Sequence, residues 1–460
     1  MSATSLLNVR RTFGATAAVL LLCGAVVLSE ARGAEPLIPE IWTAKDAVSF
    51  GIKNSPDSRI ALQRIAAARA TQDSAAGVLN HPRIDLYATY AQTDNPMYSF
   101  GNILNQVAFD NDIDFNDPGR TDNLNLKAEL TYRLYNGGRD QAGVDAATSS
   151  YLASEAGLRE VEHQLGFEIV SAYQNIVSAH DRLEARRAEL DAIDSSLQVA
   201  RARFDAGDLL KTEVLNFEVQ HAKTSENLII AQHRKELAEK IFLNLLGLDS
   251  GTAVLDPGSG VDQTVPGKPA ERPEIEKLGA MLAAARSSLE QAEGVKRPTL
   301  DGFASYQYDY GWETDGSGDS WMAGLRLNYN LWDGRQGHAG IAGREAELKE
   351  LEEQMQKLQL SVNLDVQQAR INYAQAIERR EVTSKMVEVA RESAQLSRER
   401  FKEGVILSSD LLDTEVRLTD ALMRQSTARA NHRIAVANLR RALGYQQFHA
   451  STEALLENQQ

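Results

Sequence analysis

Two hydrophobic periods divide this chain. From Leu124 the sequence alternates, with Leu124, Leu126, Ala128, Leu130, Tyr132 and Leu134 on one side and Asn125, Lys127, Glu129, Thr131 and Arg133 on the other. The alternation returns with Trp321, Ala323, Leu325, Leu327, Tyr329 and Leu331 against Met322, Gly324, Arg326, Asn328 and Asn330. Period two with charge on one side predicts strands with one apolar and one wet face. Elsewhere the step is three and four: Leu348, Leu351, Met355, Leu358, Val362, Val366, Ala369, Tyr373 and Ala376 form one seam, and Leu190, Ile193, Leu197, Ala200 and Phe204 begin another. These are coiled-coil seams. Residues 344 to 403 contain neither Gly nor Pro, so that segment alone reaches about 90 Å at 1.5 Å per residue, far beyond a globular helix.

The same unit occurs twice. Leu134-Tyr135-Asn136-Gly137 recurs as Leu331-Trp332-Asp333-Gly334, Arg203-Phe204 with Gly207 as Arg400-Phe401 with Gly404, and Leu246-Gly247 as Leu443-Gly444, all offset by 197 residues. Upstream, Ser55-Pro56-Asp57 answers Arg272-Pro273-Glu274 and His81-Pro82-Arg83 answers Arg297-Pro298-Thr299, at offsets of 217 and 216. The first half therefore holds about twenty extra residues. They fall between Gln92 and Asp122, a stretch rich in Asp, Asn, Gly and Pro that reads as irregular. The expected plan is a first repeat over 34–248, with strands near 84–91 and 123–135 and helices over 140–206 and 208–246. A linker over 249–272 follows. A second repeat over 273–445 has strands near 299–312 and 320–332 and helices over 336–403 and 405–443, and 446–460 is a tail.

The start of the chain reads as an address. Arg10 and Arg11 precede an uncharged stretch from Phe13 to Leu28, and Ala31-Arg32-Gly33 gives the small-x-small cleavage pattern, so 1–33 is expected to be a secretory signal peptide. Cys23, the only cysteine, leaves with it, which removes disulfide and thiol chemistry. The leader also carries three Arg and one Glu, so the net charge moves from −15 to −17. No basic stretch suits a phosphate backbone, which argues against nucleic acid as a partner. After the leader no apolar run is long enough for a transmembrane helix, so membrane residence requires strands. Four strands cannot close a barrel, the smallest outer-membrane barrels using about 8. Two copies sharing a barrel would give eight strands and a filled interior, and three would give twelve with room for a channel.

Taken in order, several landmarks resemble the TolC family of outer-membrane efflux proteins. They are Asp46-Ala47-Val48 with Asn54-Ser55-Pro56, Leu134 to Arg139 after the strand, Ala172-Tyr173 in the long helix, the Arg-Phe-x-x-Gly turns and the Leu-Gly helix ends. The likeness runs from about Trp42 to Tyr445. It implies an α+β membrane protein: an internally duplicated, coiled-coil helical tunnel joined to a transmembrane β-barrel, four strands per chain and twelve in a homotrimer. The location implied is the outer membrane of a Gram-negative bacterium, in contact with its lipid and extending into the periplasm. The function implied is a conduit for a tripartite efflux pump or type I secretion system. Its partners would be a periplasmic adaptor (a membrane fusion protein) and an inner-membrane pump or ABC exporter.

By the same resemblance, acidic residues after the second glycine turn line an iris-like constriction, and Asp410 and Asp413 occupy the matching positions. Their first-half counterparts are Glu213 and Asn216. Some members carry an arginine between the glycine and the acidic pair, where this chain has Val405, Ile406 and Leu407, so Arg400, Arg417 and Lys211 are the candidates for any lock. The helix tips Gly207, Asp208, Gly404 and Val405 are the expected adaptor contacts, and Lys127, Glu129, Arg133 and Arg326 the expected barrel lumen. The eight histidines are scattered, with no metal-ligand spacing, phosphate loop or nucleophile motif. No enzyme activity, metal or cofactor is therefore expected. The rival readings are a soluble periplasmic coiled-coil adaptor or scaffold, and a barrel-bearing enzyme or adhesin.

Overall fold

The computed structural model describes residues 38–256, 258 and 267–448. The expected signal peptide and most of the tail lie outside them, as does part of the expected linker. Contacts divide the chain at Glu40, and the account below concerns the unit from Ile41 onward. That unit opens with α1 (Ala44–Asn54) and α2 (Pro56–Asn80). Thr43 caps α1 by accepting from the Asp46 amide at 3.1 Å, and Ser55 with Pro56 starts α2, both strong helix openings. Next come β1 (Arg83–Thr93), α3 (Pro96–Asn105) and β2 (Thr121–Tyr135), then the long α4 (Arg139–Asp205) and its return α5 (Lys211–Leu245). The second half repeats the order as α6 (Pro273–Glu293), β3 (Thr299–Gly311), β4 (Gly316–Asn328), α7 (Gln336–Lys402) and α8 (Ser408–Ala442). The long helices have 67 residues each and the returns 35 each, so the 197-residue offset holds at every boundary of the two hairpins.

Three elements depart from the sequence expectation by three or more residues. The returns start at Lys211 and Ser408 rather than 208 and 405, because the chain must first leave a left-handed turn. Gly207 and Gly404 sit at φ +86° and +79°. The Asp208 amide reaches back to the Arg203 carbonyl at 2.8 Å, and the Val405 amide to the Arg400 carbonyl at 2.9 Å. This is a Schellman stop, which glycine reaches without a Cβ penalty. β4 spans 316–328 rather than 320–332, ending before Tyr329 and Leu331. The stretch read as irregular holds α3, whose start carries Asn95 accepting from the Met97 amide at 3.1 Å, with Pro96 in the first turn.

The strands form one antiparallel sheet in chain order, and β2–β3 joins the halves. Apolar packing concentrates at two levels of the helices. At the first, Trp42, Val48 and Phe50 bury against Ile169, Val170 and Tyr173 of α4 and Phe242 of α5. Trp42 meets Phe50 and Phe242 edge-on at 5.2 and 6.0 Å, a favoured aromatic geometry. At the second, near the glycine turns, Leu197, Ala200, Val214 and Phe217 pack on Phe401 and Leu411. There α8 lies along α4 as well as along α7, which fastens the first hairpin to the second.

Candidate functional site

The sheet sorts its side chains by register. Directly opposed residues of an antiparallel pair project to the same face. Lys127 pairs with Gln307, Glu129 with Ser305, Arg133 with Asp301, and Asp301 with Arg326. All four residues expected in the lumen therefore share one face with Asp301, Gln307 and Asp309. They interact there: Lys127 Nζ lies 2.7 Å from Glu129, Arg133 lies 3.1 Å from Asp140 and 3.7 Å from Asp301, and Arg326 sits 5.1 Å over the Phe303 ring. The opposite face carries Leu86, Leu126, Leu130, Tyr306, Trp321, Leu325 and Leu327, with Leu86, Trp321 and Leu325 at 81%, 77% and 69% exposure. Apolar surface of that extent facing outward suits lipid, not water. Strands β1 and β4 each pair on one side only, so both edges are open among the described residues.

The second candidate region is the pair of hairpin tips. Gly207, Asp208, Gly404 and Val405 are all exposed there. Between the tips the rings of Phe217 and Phe401 stand 5.4 Å apart. Arg203 of the first hairpin donates to the Phe401 carbonyl at 3.0 Å and lies 5.6 Å over its ring. Helix α8 has no side-chain cap of its own. Glu213 supplies one from the other hairpin, accepting from the Ser408 amide at 3.1 Å and from its hydroxyl. A carboxylate at a helix N-terminus satisfies a free N–H and meets the positive end of the dipole. Each hairpin also clamps its own arms: Arg201 with Glu218 at 2.9 Å, and Arg398 with Glu415 through two bonds, one of 2.6 Å. The Glu415 side chain is 2% exposed. Its hydrogen bond and charge raise the Arg398 pKa against the cost of burial.

Asp410 and Asp413 are exposed on the first two turns of α8. Asp413 pairs with Arg417 at 2.7 Å, whereas the Asp410 side chain has no partner among the described residues. Of the other lock candidates, the side chains of Arg400 and Lys211 also lack a partner among those residues. The sequence reasoning missed the contacts of Arg203, Glu213 and Glu415. One signal was present, since Arg201/Glu218 and Arg398/Glu415 repeat a 17-residue spacing at the 197-residue offset. No linear pattern marks the partners of Arg203 and Glu213, which lie in the other half.

Among the described residues no helix is long and apolar enough to cross a membrane. The family model described as "Outer membrane efflux protein" matches residues 51–248 and 269–445. The chain belongs to the outer membrane efflux protein family. The match falls on the two repeats, one block each. Outer membrane protein TolC of Escherichia coli strain K12 is 25% identical over 373 residues, covering 70% of this chain and 74% of that protein. The alkaline protease secretion protein AprF of Pseudomonas aeruginosa is 25% identical over 315 residues, 63% of each chain. The outer membrane protein VceC of Vibrio cholerae, a crystal structure, superposes with a TM-score of 0.73 at 17% identity over 88% of this chain and 96% of that one. As a member of the family the chain is an outer-membrane efflux channel subunit, which displaces the soluble-scaffold reading. Family members are channels rather than enzymes.

Proposed function

We propose that three copies of this chain close one twelve-stranded barrel and stack their helical hairpins into a conduit from periplasm to exterior. The observation that carries this is the open sheet, apolar on one face, polar on the other and unpaired at both edges. In lipid each unpaired backbone group costs several kcal/mol, so β1 of one copy must pair with β4 of the next. The lumen then holds Lys127, Glu129, Arg133 and Arg326. Membrane fractionation followed by mass measurement in mild detergent tests the assembly: a trimer is expected, and a soluble monomer would sink the reading. Replacing Leu325 by Arg on the lipid face should cost about 2–4 kcal/mol per site near the bilayer midplane. Arg326→Ser should assemble normally and change ion selectivity.

The internal repeat suggests how the tips meet between copies. Shifted by 197 residues, the contact of Glu213 with Ser408 becomes Asp410 of one copy with Lys211 of the next. That of Arg203 with the Phe401 carbonyl becomes Arg400 with the Phe204 carbonyl. The side chains of Asp410, Lys211 and Arg400 have no partner among the described residues of the single chain, and Phe204, whose carbonyl accepts from the Gly207 amide, is 40% exposed. Such contacts would hold the periplasmic end closed, with Asp413 and Asp410 ringed about the axis. A narrow passage with low-dielectric walls focuses their negative field and attracts cations. In planar bilayers the double substitution Asp410→Ala with Asp413→Ala should abolish cation preference and block by multivalent cations. Unchanged selectivity would place the constriction elsewhere.

At the same end, Gly207, Asp208, Gly404 and Val405 form the surface offered to a periplasmic adaptor, behind which stands an inner-membrane pump or ABC exporter. Crosslinking from a cysteine placed at Asp208 to a co-expressed adaptor tests that surface, and labelling confined to the barrel end would refute it.

A further inference from the structure

We propose that the connection between β1 and β2 folds into the barrel mouth on the polar side of the sheet and makes an outer constriction, so that the conduit is narrowed at its exterior end as well. This rests on the barrel reading above, which fixes the polar face as the inner one.

The two strand connections of the chain are unequal. Between β3 and β4 the chain turns within 312–315, whereas between β1 and β2 it runs from 94 to 120 and includes α3. Three glycines of the short hairpin show on which side the longer connection lies. Gly311 pairs with Gly316, and Gly318 pairs with Asp309. By the two-residue period all three share the face of Asp309, Gln307 and Lys127, the polar face. A Cβ on Gly318 would collide with the Asn105 carbonyl and lie 2.7 Å from Val107. One on Gly316 would lie 2.7 Å from the Gln106 carbonyl and 2.8 Å from Ala108. One on Gly311 would strike the Gln106 side chain. The segment 105–108 is therefore laid directly on the inner surface of β3 and β4, and the bare backbone there is what lets it approach.

Polar side chains hold it in place. Gln106 is fully buried; its Nε2 donates to the Asp122 carbonyl at 2.7 Å and to Asn123 Oδ1 at 3.0 Å, and its Oε1 accepts from Thr314 at 2.5 Å. Ser99 donates to the Thr93 carbonyl at 2.9 Å, and Asn102 to Thr121 at 3.0 Å. Asp309, at 1% exposure, accepts from Asn123 at 2.6 Å and Asn125 at 2.8 Å. A buried network satisfied at this many points is rigid, unlike a surface loop held only at its ends. The rest of the connection is tied to α3 through Phe100, Phe109 and Phe115, with ring centroids 4.6 to 6.0 Å apart.

What the connection leaves exposed is mixed: Met97, Tyr98 and Val107 at 70%, 60% and 77%, beside exposed Asp110, Asp112, Asp114 and Asp117. Three copies would set three such groups around the mouth. The opening would pass slender solutes and exclude bulky ones arriving from outside.

The test is sided labelling on intact cells. A thiol introduced by Ser305→Cys lies on the polar face below the connection, opposite Glu129. It is read in the intact chain, in a chain whose residues 95–119 are replaced by a short Gly-Ser turn, and in Gly318→Leu, which forces the segment off the sheet without removing it. A small dye maleimide is expected to label all three. A maleimide on a bulky polyethylene glycol should label only the two altered chains, with trimer mass in detergent unchanged. Equal labelling of intact and altered chains by the bulky reagent overturns the inference while leaving the barrel standing. Failure of the small reagent in every chain would instead overturn the facing of the barrel. If the excised chain does not assemble, the Gly318→Leu chain decides.

Discussion

The two helical hairpins have the same lengths and the same offsets at every boundary, yet they do different work at their tips. The first hairpin reaches out: Arg203 and Glu213 leave their own helices to grip Phe401 and Ser408 of the second. The side chains of the equivalent residues of the second, Arg400 and Asp410, reach nothing among the described residues of their own chain. The internal clamps differ in the opposite sense. Arg201 and Glu218 are both exposed, whereas Glu415 is buried beneath Arg398. The two hairpins share one backbone plan, and their differing side chains make one a grip and the other a free end. In the proposed ring the free end of one chain would face the first hairpin of the next, so unlike joints would alternate on like scaffolds.

The sharpest way to break this comparison is at the clamps. Arg398→Ala leaves the Glu415 carboxylate buried without a partner and should cost roughly 3 kcal/mol, the low end for a broken buried pair because Arg398 is itself partly exposed. Arg201→Ala in the equivalent exposed pair should cost about 0.2–1 kcal/mol. Melting of the purified protein in detergent, followed by far-UV circular dichroism, checks the pair, and equal losses would erase the distinction between the hairpins. Next in size is the cap. Glu213→Ala should destabilise the α8 start by about 1 kcal/mol and raise proteolytic nicking near Leu407. Asp410→Ala should spare the isolated chain and act only in the assembled one. The smallest effect concerns acid. His432 on α8 stands where α5 carries Lys235, and its pKa is lowered by burial and by the nearby Arg380 and Arg433. The unfolded chain takes up this proton first, so the contribution is intact above the unfolded value of about 6.5 and is lost as pH falls through it. His432→Gln should flatten that part of the stability profile, and a slope unchanged by the substitution would assign it to other groups.

Much of this was legible because period and repetition are linear signals. The alternation through Leu124–Leu134 placed Lys127, Glu129 and Arg133 together on one face, and the register of β2 with β3 put them there. The glycine turns were visible as Arg-Phe-x-x-Gly, although the helices after them start three residues later because the turn uses those residues to reverse direction. The helix α3 escaped because its surroundings are rich in breakers, which outweighed Asn95-Pro96, itself a helix-start signal. The hold of that segment on the sheet rests on Gly311, Gly316 and Gly318, whose meaning depends on what approaches them. Arg203 and Glu213 are of the same kind: their targets are 198 and 195 residues away, and no local pattern encodes such a partner.

The junction of β2 with β3 also bears on the order in which the molecule can form. Each helical hairpin closes through a turn of a few residues, a local event with little entropy to lose. Pairing Leu126 with Tyr308, by contrast, must bring together strands separated by the whole first hairpin and α6. Contacts so distant in sequence form late and slowly, because loop closure is unfavourable until many of them are made at once. The helices will therefore be standing while four apolar strands still lack their final neighbours. During that interval the chain is at its most prone to aggregate, and whatever delivers it to the membrane must shield the strands rather than the helices.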